Sequence, residues 1–350
     1  MRSATDSRAV TQKVRVATQK ATATAKIVAL ALAFSAPGLA GAADNYEPPR
    51  TPSGNPDLQG VWTNASITTL QRVGRYDGLV IDPTDLAEVT ANHPQNVRQA
   101  TDDHLEAGEL LDGSDLAMGR GYNAFWIDPG SSFGLVKGEY RTSWIVEPAD
   151  GRIPYSEEGQ RLRREFRATF SSNDGPEGRS LGERCLIGFG GTGGPPMLNV
   201  LYNNHYRIVQ TDDYVMIMVE MNQDARIIPI NGKHRPAELQ QWLGDSIGWW
   251  DGDTLVVETV NLHPQQAGGA QVNLSDQGKV IERFTRYSDG QIYYEFEVED
   301  PVYYTQPWRG EMSLNASTDR IYEYACHEGN YGLPGILMGA RREEADAAQQ

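Results

Sequence analysis

Lys279-Val-Ile-Glu-Arg-Phe-Thr-Arg-Tyr287, Ser288-Asp-Gly290 and Gln291-Ile-Tyr-Tyr-Glu-Phe-Glu-Val298 form the stretch that decides the fold. In its last part Ile292, Tyr294, Phe296 and Val298 alternate with Glu295, Glu297 and Glu299. A period of two sends alternate side chains to opposite faces of a strand, so one face is apolar and the other carboxylate. Ser-Asp-Gly supplies turn chemistry, and the two flanking runs read as a hairpin.

The same reading extends outward. Ile247–Trp250 and Asp253–Val260 flank Asp251-Gly252, and Tyr206–Gln210 and Tyr214–Glu220 flank Thr-Asp-Asp. Single strands fit Ala225–Ile230, Trp308–Leu314 and Ile321–Cys326. Successive hairpins make an antiparallel meander, and bending a meander shut removes its exposed edges. The expected fold is therefore mainly β, with residues 200–334 forming a barrel and a β-sandwich as the alternative. A propeller would need a repeat of about 40–50 residues, and none is visible.

Residues 43–199 read as an irregular, partly helical region. Strands are expected near 58–63 and 141–146, a helix near 156–170, and polar helical spacing over 82–118. Residues 335–350 read as a tail. Residues 1–42 read as a signal peptide: six basic residues against Asp6, the apolar run Ile27–Phe34, then Ala40-Gly41-Ala42. That apolar run is shorter than the roughly 20 residues a membrane span needs. Export to the periplasm or the medium is expected, with no stable membrane insertion.

The chain has 350 residues and a net charge of −16, which becomes −21 once the six bases and one acid of the leader are removed. Such a surface repels a polyphosphate, so nucleic acid is excluded as a partner. Oligomeric state is not readable. The two cysteines, Cys185 and Cys326, are expected to form a disulfide in an oxidising compartment. A free Cys326 acting beside His327 is the competing idea, but neighbours on a strand point to opposite faces.

Two resemblances rest on particular segments. Gly60-Val61-Trp62, ahead of a hairpin meander, resembles the lipocalin-like (calycin) pattern. It implies a Trp closing one end of a cup-shaped barrel. Pro56–Asn64, Gly182–Leu186, Gly194–Met197, Leu201–Asn204, Gln241–Asp245, Gly252–Thr259 and Tyr322–Tyr331 are similar to segments of a group of exported bacterial proteins of unassigned activity. This implies a shared fold and export, and no reaction. The group often carries His where this chain has Gln223, and Asn where it has His205.

Candidate chemistry centres on Cys326-His327-Glu328. A bridge to Cys185 would fix the backbone beside His327 and bring Glu183 and Arg184 near, as proton transfer requires. His327 and Glu328 are thus candidate catalytic residues, or His327 is a structural histidine. Glu258 is the third candidate: facing the barrel interior it would be a general acid, facing outward it would be solvated. Tyr202, Asn203, Arg226, Trp249 and Tyr324 are candidate substrate-binding residues, with Asn204, His205, Glu220 and Asp224 nearby. Turn chemistry and core packing are the competing explanations. The six histidines show neither H-x-H nor H-x-x-x-H spacing, so no metal site is expected. No cofactor is expected either: Gly188–Gly194 lacks the Gly-Lys-Ser/Thr ending of a phosphate loop, and no G-x-S-x-G occurs. These residues suggest metal-independent acid–base chemistry, of lyase, hydratase or isomerase type, on a small, largely apolar or aromatic molecule. A non-catalytic lipocalin-like binder and a hydrolase with an unrecognised nucleophile are the alternatives.

Overall fold

A computed structural model describes residues 46–102, 129–169 and 172–349. The signal peptide expected over 1–42, and the part of the helical spacing beyond 102, lie outside the described residues. The meander strands are β5 (His205–Gln210), β6 (Tyr214–Val219), β7 (Ala225–Pro229), β8 (Asp245–Asp251), β9 (Thr254–Val260), β10 (Lys279–Ser288), β11 (Gln291–Glu299) and β12 (Trp308–Ala316). Before them come β1 (Gly60–Thr63), α1 (Leu86–Ala91), α2 (Pro94–Asp102), β2 (Leu135–Val136), β3 (Glu139–Tyr140), β4 (Ile145–Glu147) and α3 (Glu157–Thr169). Helix α4 (Pro264–Gly269) follows β9, and α5 (Gly332–Ala347) ends the chain.

Each meander strand pairs with its sequence neighbour, and β1 sits between β5 and β12. The nine strands thus run around a nearly closed barrel. An up-and-down ring with an odd number of strands cannot alternate direction all the way round. One neighbouring pair must be parallel, and here it is β7 with β8. Their ladder is reduced to a parallel bridge, Ile230 with Gly248, and one bond from Asn231 N to Gly248 O at 2.7 Å. Parallel neighbours need a long crossover, and residues 230–244 provide it. The short β4 pairs with the edge of β12 that β1 leaves uncovered.

Register assigns the faces. Ile292, Tyr294, Phe296 and Val298 of β11 point inward, each 1% exposed or less. Their partners Phe284, Met312, Gly310 and Trp308 do the same. A side chain cannot replace Gly310, because its Cβ would lie 2.2 Å from the Phe296 ring. Trp62, Tyr206, Ile208, Ile217 and Ile228 complete the packing from the other half. Trp62 donates from Nε1 to Leu58 O at 2.9 Å, with the Arg286 guanidinium over its ring. The loop through Gly194-Pro-Pro-Met197 plugs the interior. Met197 is fully buried, and its N–H donates to the Tyr294 hydroxyl at 2.9 Å.

Three expectations are corrected. The barrel is not a hollow cup, because large side chains and the plug fill it. Ile321–Cys326 is an extended segment outside the sheet, not a strand. Its Tyr322 N–H reaches Glu220 Oε1 instead of a ladder partner. The expected tail is helix α5, whose Arg341 donates to Asp174 O at 2.6 Å. Pro334 sits in its first turn, where a missing N–H costs nothing.

The disulfide forms between Cys185 and Cys326, which are separated by 141 positions and have Cα atoms 5.7 Å apart. It ties the 322–331 segment to the 180–191 loop, beside the bond from Asn330 Nδ2 to Glu183 O at 2.7 Å. Replacing both cysteines by serine should lower unfolding stability by about 2–5 kcal/mol. Urea denaturation with and without reductant measures this, and equal midpoints for the variant and the oxidised protein would count against it.

Candidate functional site

A cavity of about 730 Å³ opens beside α4, whose Gln266 lines it and bonds the plug at Gly194 O. Four segments build it, and no barrel strand lines it: residues 69–73 with 153–155, helix α3, the 180–191 loop, and α4 with the residues after it.

Helix α3 begins where Ser156 Oγ accepts the Gly159 N–H at 2.8 Å, as an N-cap does. Gly159 lets the helix dock tightly, because a Cβ there would sit 2.3 Å from Tyr303 O. Docked this way, α3 turns Arg163, Phe166 and Arg167 to the cavity. The 180–191 loop is held by the disulfide and by Asp224, whose Oδ2 accepts the Gly188 N–H at 2.6 Å. Burial raises the Asp224 carboxyl, against the bonds from Gly188 and Asn222.

Helix α4 is capped by His263, whose Nδ1 accepts the Gln265 N–H at 3.3 Å. The His263 ring stacks on Trp242 with centroids 3.8 Å apart. Burial, aided by the nearby Arg184 charge, lowers its pKa and keeps the ring neutral to accept that bond. Gln266 braces the same wall: Oε1 accepts the Leu243 N–H at 2.7 Å, and Nε2 donates to Gly194 O at 3.2 Å.

The walls are mixed. Leu70, Ile153, Phe166, Leu181 and Ile187 make apolar surface, and Gln71, Gln265, Gln266 and Asn273 bring amides. The ionisable groups are Tyr155, Arg163 and Arg167. Burial raises Tyr155, whose hydroxyl donates to Asn273 Oδ1 at 3.3 Å. Among the described residues no Asp, Glu or His lines the cavity.

The residues singled out from sequence lie elsewhere. His327 and Glu328 are exposed on the C-terminal segment; neither lines the cavity, and among the described residues neither pairs with a side chain. Glu258 faces outward, opposite Ile247 and Ile281, so the interior position that its role as an acid required is not met. It meets His234 Nε2 at 3.2 Å and Lys279 at 3.8 Å, and His234 Nδ1 meets Asp245 at 2.9 Å. Trp249 shares that outer face. Asn203 is a turn residue with φ of +56°. Tyr202 and Tyr324 are half-buried and pack on the core. His205 and Glu220 do converge, with Nδ1 to Oε2 at 3.1 Å, but on the outside of β5.

Arg226 points into the barrel, away from that pair. Its guanidinium grips Glu282 with two bonds of 2.5 and 3.0 Å, and the Tyr294 hydroxyl donates to Glu282 Oε1 at 2.7 Å. Burial works against the Arg226 charge, and the adjacent Glu282 more than offsets it, so its pKa is raised. This pair is part of the core, not a binding site open to ligand. Among the described residues no group of three or more His, Cys, Asp or Glu is placed to hold a metal ion.

Sequence reading missed Arg163, Arg167, Tyr155 and all of α4. One signal was available: Arg163 and Arg167 are the immediate neighbours of the apolar pair Leu162 and Phe166, so they flank the buried stripe of α3. Helix α4 is too short, and too rich in Gly and Gln, to show a period.

No family model, curated protein or solved structure matches this chain.

Two outcomes follow. Arg226→Met strands Glu282 without its counter-charge and should cost about 3–5 kcal/mol, while Arg226→Met with Glu282→Gln should recover much of that loss. Denaturant titration of the two variants checks this, and a double variant no better than the single one contradicts it. The second outcome concerns pH. A histidine whose folded pKa is depressed contributes stability that is present above its unfolded pKa and is lost as pH falls through the folded one. Acidification should therefore loosen α4 below the ordinary imidazole range. His263→Asn, which caps without titrating there, should remove that component of the pH–stability curve.

Proposed function

We propose that the protein is an exported, lipocalin-like binding protein that holds a small, largely apolar or aromatic molecule in the cavity beside its plug. The observation that carries this reading is the cavity's composition. About 730 Å³ of space, apolar walls and a few directed amides are what recognition of a small molecule needs. Acid–base catalysis needs a group near neutral pKa within hydrogen-bond reach of the substrate. The nearest titratable hydroxyl, Tyr155, has its pKa pushed up, and His327 stands outside. The binding alternative therefore takes precedence over the lyase, hydratase or isomerase reading.

Export draws support from the disulfide, which belongs to oxidising compartments, and from the basic, apolar and small-residue order of the first 42 residues. The cyclic up-and-down strand order supports the lipocalin-like comparison. In this protein the ligand would sit between α3, α4 and the 180–191 loop rather than inside the barrel.

Ligand-dependent thermal shift across small apolar and aromatic compounds tests the reading. Hits should stabilise the wild type by a few degrees, as expected for ligand concentrations well above Kd. Ala270→Trp, which puts an indole into the cavity, should abolish the shift while leaving the unliganded midpoint near the wild-type value. His327→Ala should leave every shift intact. Hits that survive Ala270→Trp, or that vanish with His327→Ala, would place the ligand elsewhere.

A further inference from the structure

Helix α3 sorts its charges by face. Arg161 pairs with Glu158 and Glu165 on the solvent side. Arg163 and Arg167, one turn apart, both line the cavity, and neither meets a described carboxylate at ion-pair distance. A chain with 47 acidic against 31 basic residues had many carboxylates to offer them. The Arg163 guanidinium lies over the Tyr155 ring, its carbon 4.1 Å from the centroid. That cation–π contact helps to hold the guanidinium in place, and it uses the charge without occupying a hydrogen-bond acceptor. Across the cavity, Arg184 Nη1 donates to Gln265 Oε1 at 3.2 Å, which leaves the Gln265 amide nitrogen for a ligand and sets a third cation behind it.

On the binding reading above, we infer that the ligand is an amphipathic carboxylate, with its anionic group docked on Arg163 and Arg167 and its apolar body against Phe166, Leu181 and Ile187. Three features combine here. Guanidinium forks match the two oxygens of a carboxylate. No carboxylate of the cavity wall competes for them. The chain as a whole, at a net charge of −16, repels an anion, so a local pair of cations has to supply the attraction.

Titration calorimetry on the whole chain tests this with matched probes: 1-naphthylacetate against 1-naphthylacetamide, decanoate against decanamide, and cyclohexylacetate against cyclohexylacetamide. At least one acid should bind about tenfold or more tightly than its amide, the scale of a hydrogen bond to a charged group. Added salt should narrow that gap. Arg163→Gln combined with Arg167→Gln should bring the acid down to its amide's affinity while amide binding holds, which also shows that the variant is folded. Arg164→Gln, which removes one charge at an exposed position outside the cavity, should leave the preference unchanged. If amides bind as tightly as acids, or if the double variant keeps the preference, the carboxylate inference is wrong and the binding reading stands. If no acid and no amide binds the wild type, the failure lies with the binding reading itself.

Discussion

Nine strands laid up and down around a ring leave one pair of neighbours running the same way, and much of the structure follows from where that seam falls. It falls between β7 and β8, which forces a crossover over residues 230–244. The end of that crossover supports the cavity. Trp242 stacks on His263, Leu243 N–H bonds Gln266, and His263 N–H donates to Gln241 O at 2.9 Å. A requirement of strand parity thus produces the brace for α4, the wall that carries Gln265 and Gln266.

A second consequence comes from the packed interior. The Arg226–Glu282–Tyr294 cluster, Met197 and the aromatic rings leave the barrel solid. A buried ion pair is weak in net stability but costly to break, and Tyr294 joins this one to the plug by accepting the Met197 N–H. With the inside occupied, open space exists where the 180–191 loop, α3 and α4 fail to meet. The disulfide fixes the outer loop of that space through Cys185, on a backbone with positive φ.

Legibility in the sequence followed physical range. Period-two alternation in 291–298 and the Asp-Gly turn at 251–252 are local signals, and both hairpins form as read. The helix over 156–170 was readable from its Ser156 cap and is α3 at 157–169. Local signals could not say which face of β9 is inward, because Val256, Glu258 and Val260 lie on one face and Leu255, Val257 and Thr259 on the other. Register against Val280, Glu282 and Phe284 decides it, and that is long-range information. The cavity draws on segments about 200 positions apart, each ordinary by itself. The Cys326-His327-Glu328 cluster stands out because its residues are adjacent, yet His327 is exposed and does not line the cavity.

Hydrogen–deuterium exchange of the protein with and without a stabilising small molecule tests the central claim most directly, because it maps where a ligand removes openings of the backbone. Protection should rise in α3, in residues 180–191 and in 263–273, with the barrel strands little changed. A rise confined to the strands, or to 322–331 around His327, would contradict a binding site built between α3, α4 and the 180–191 loop.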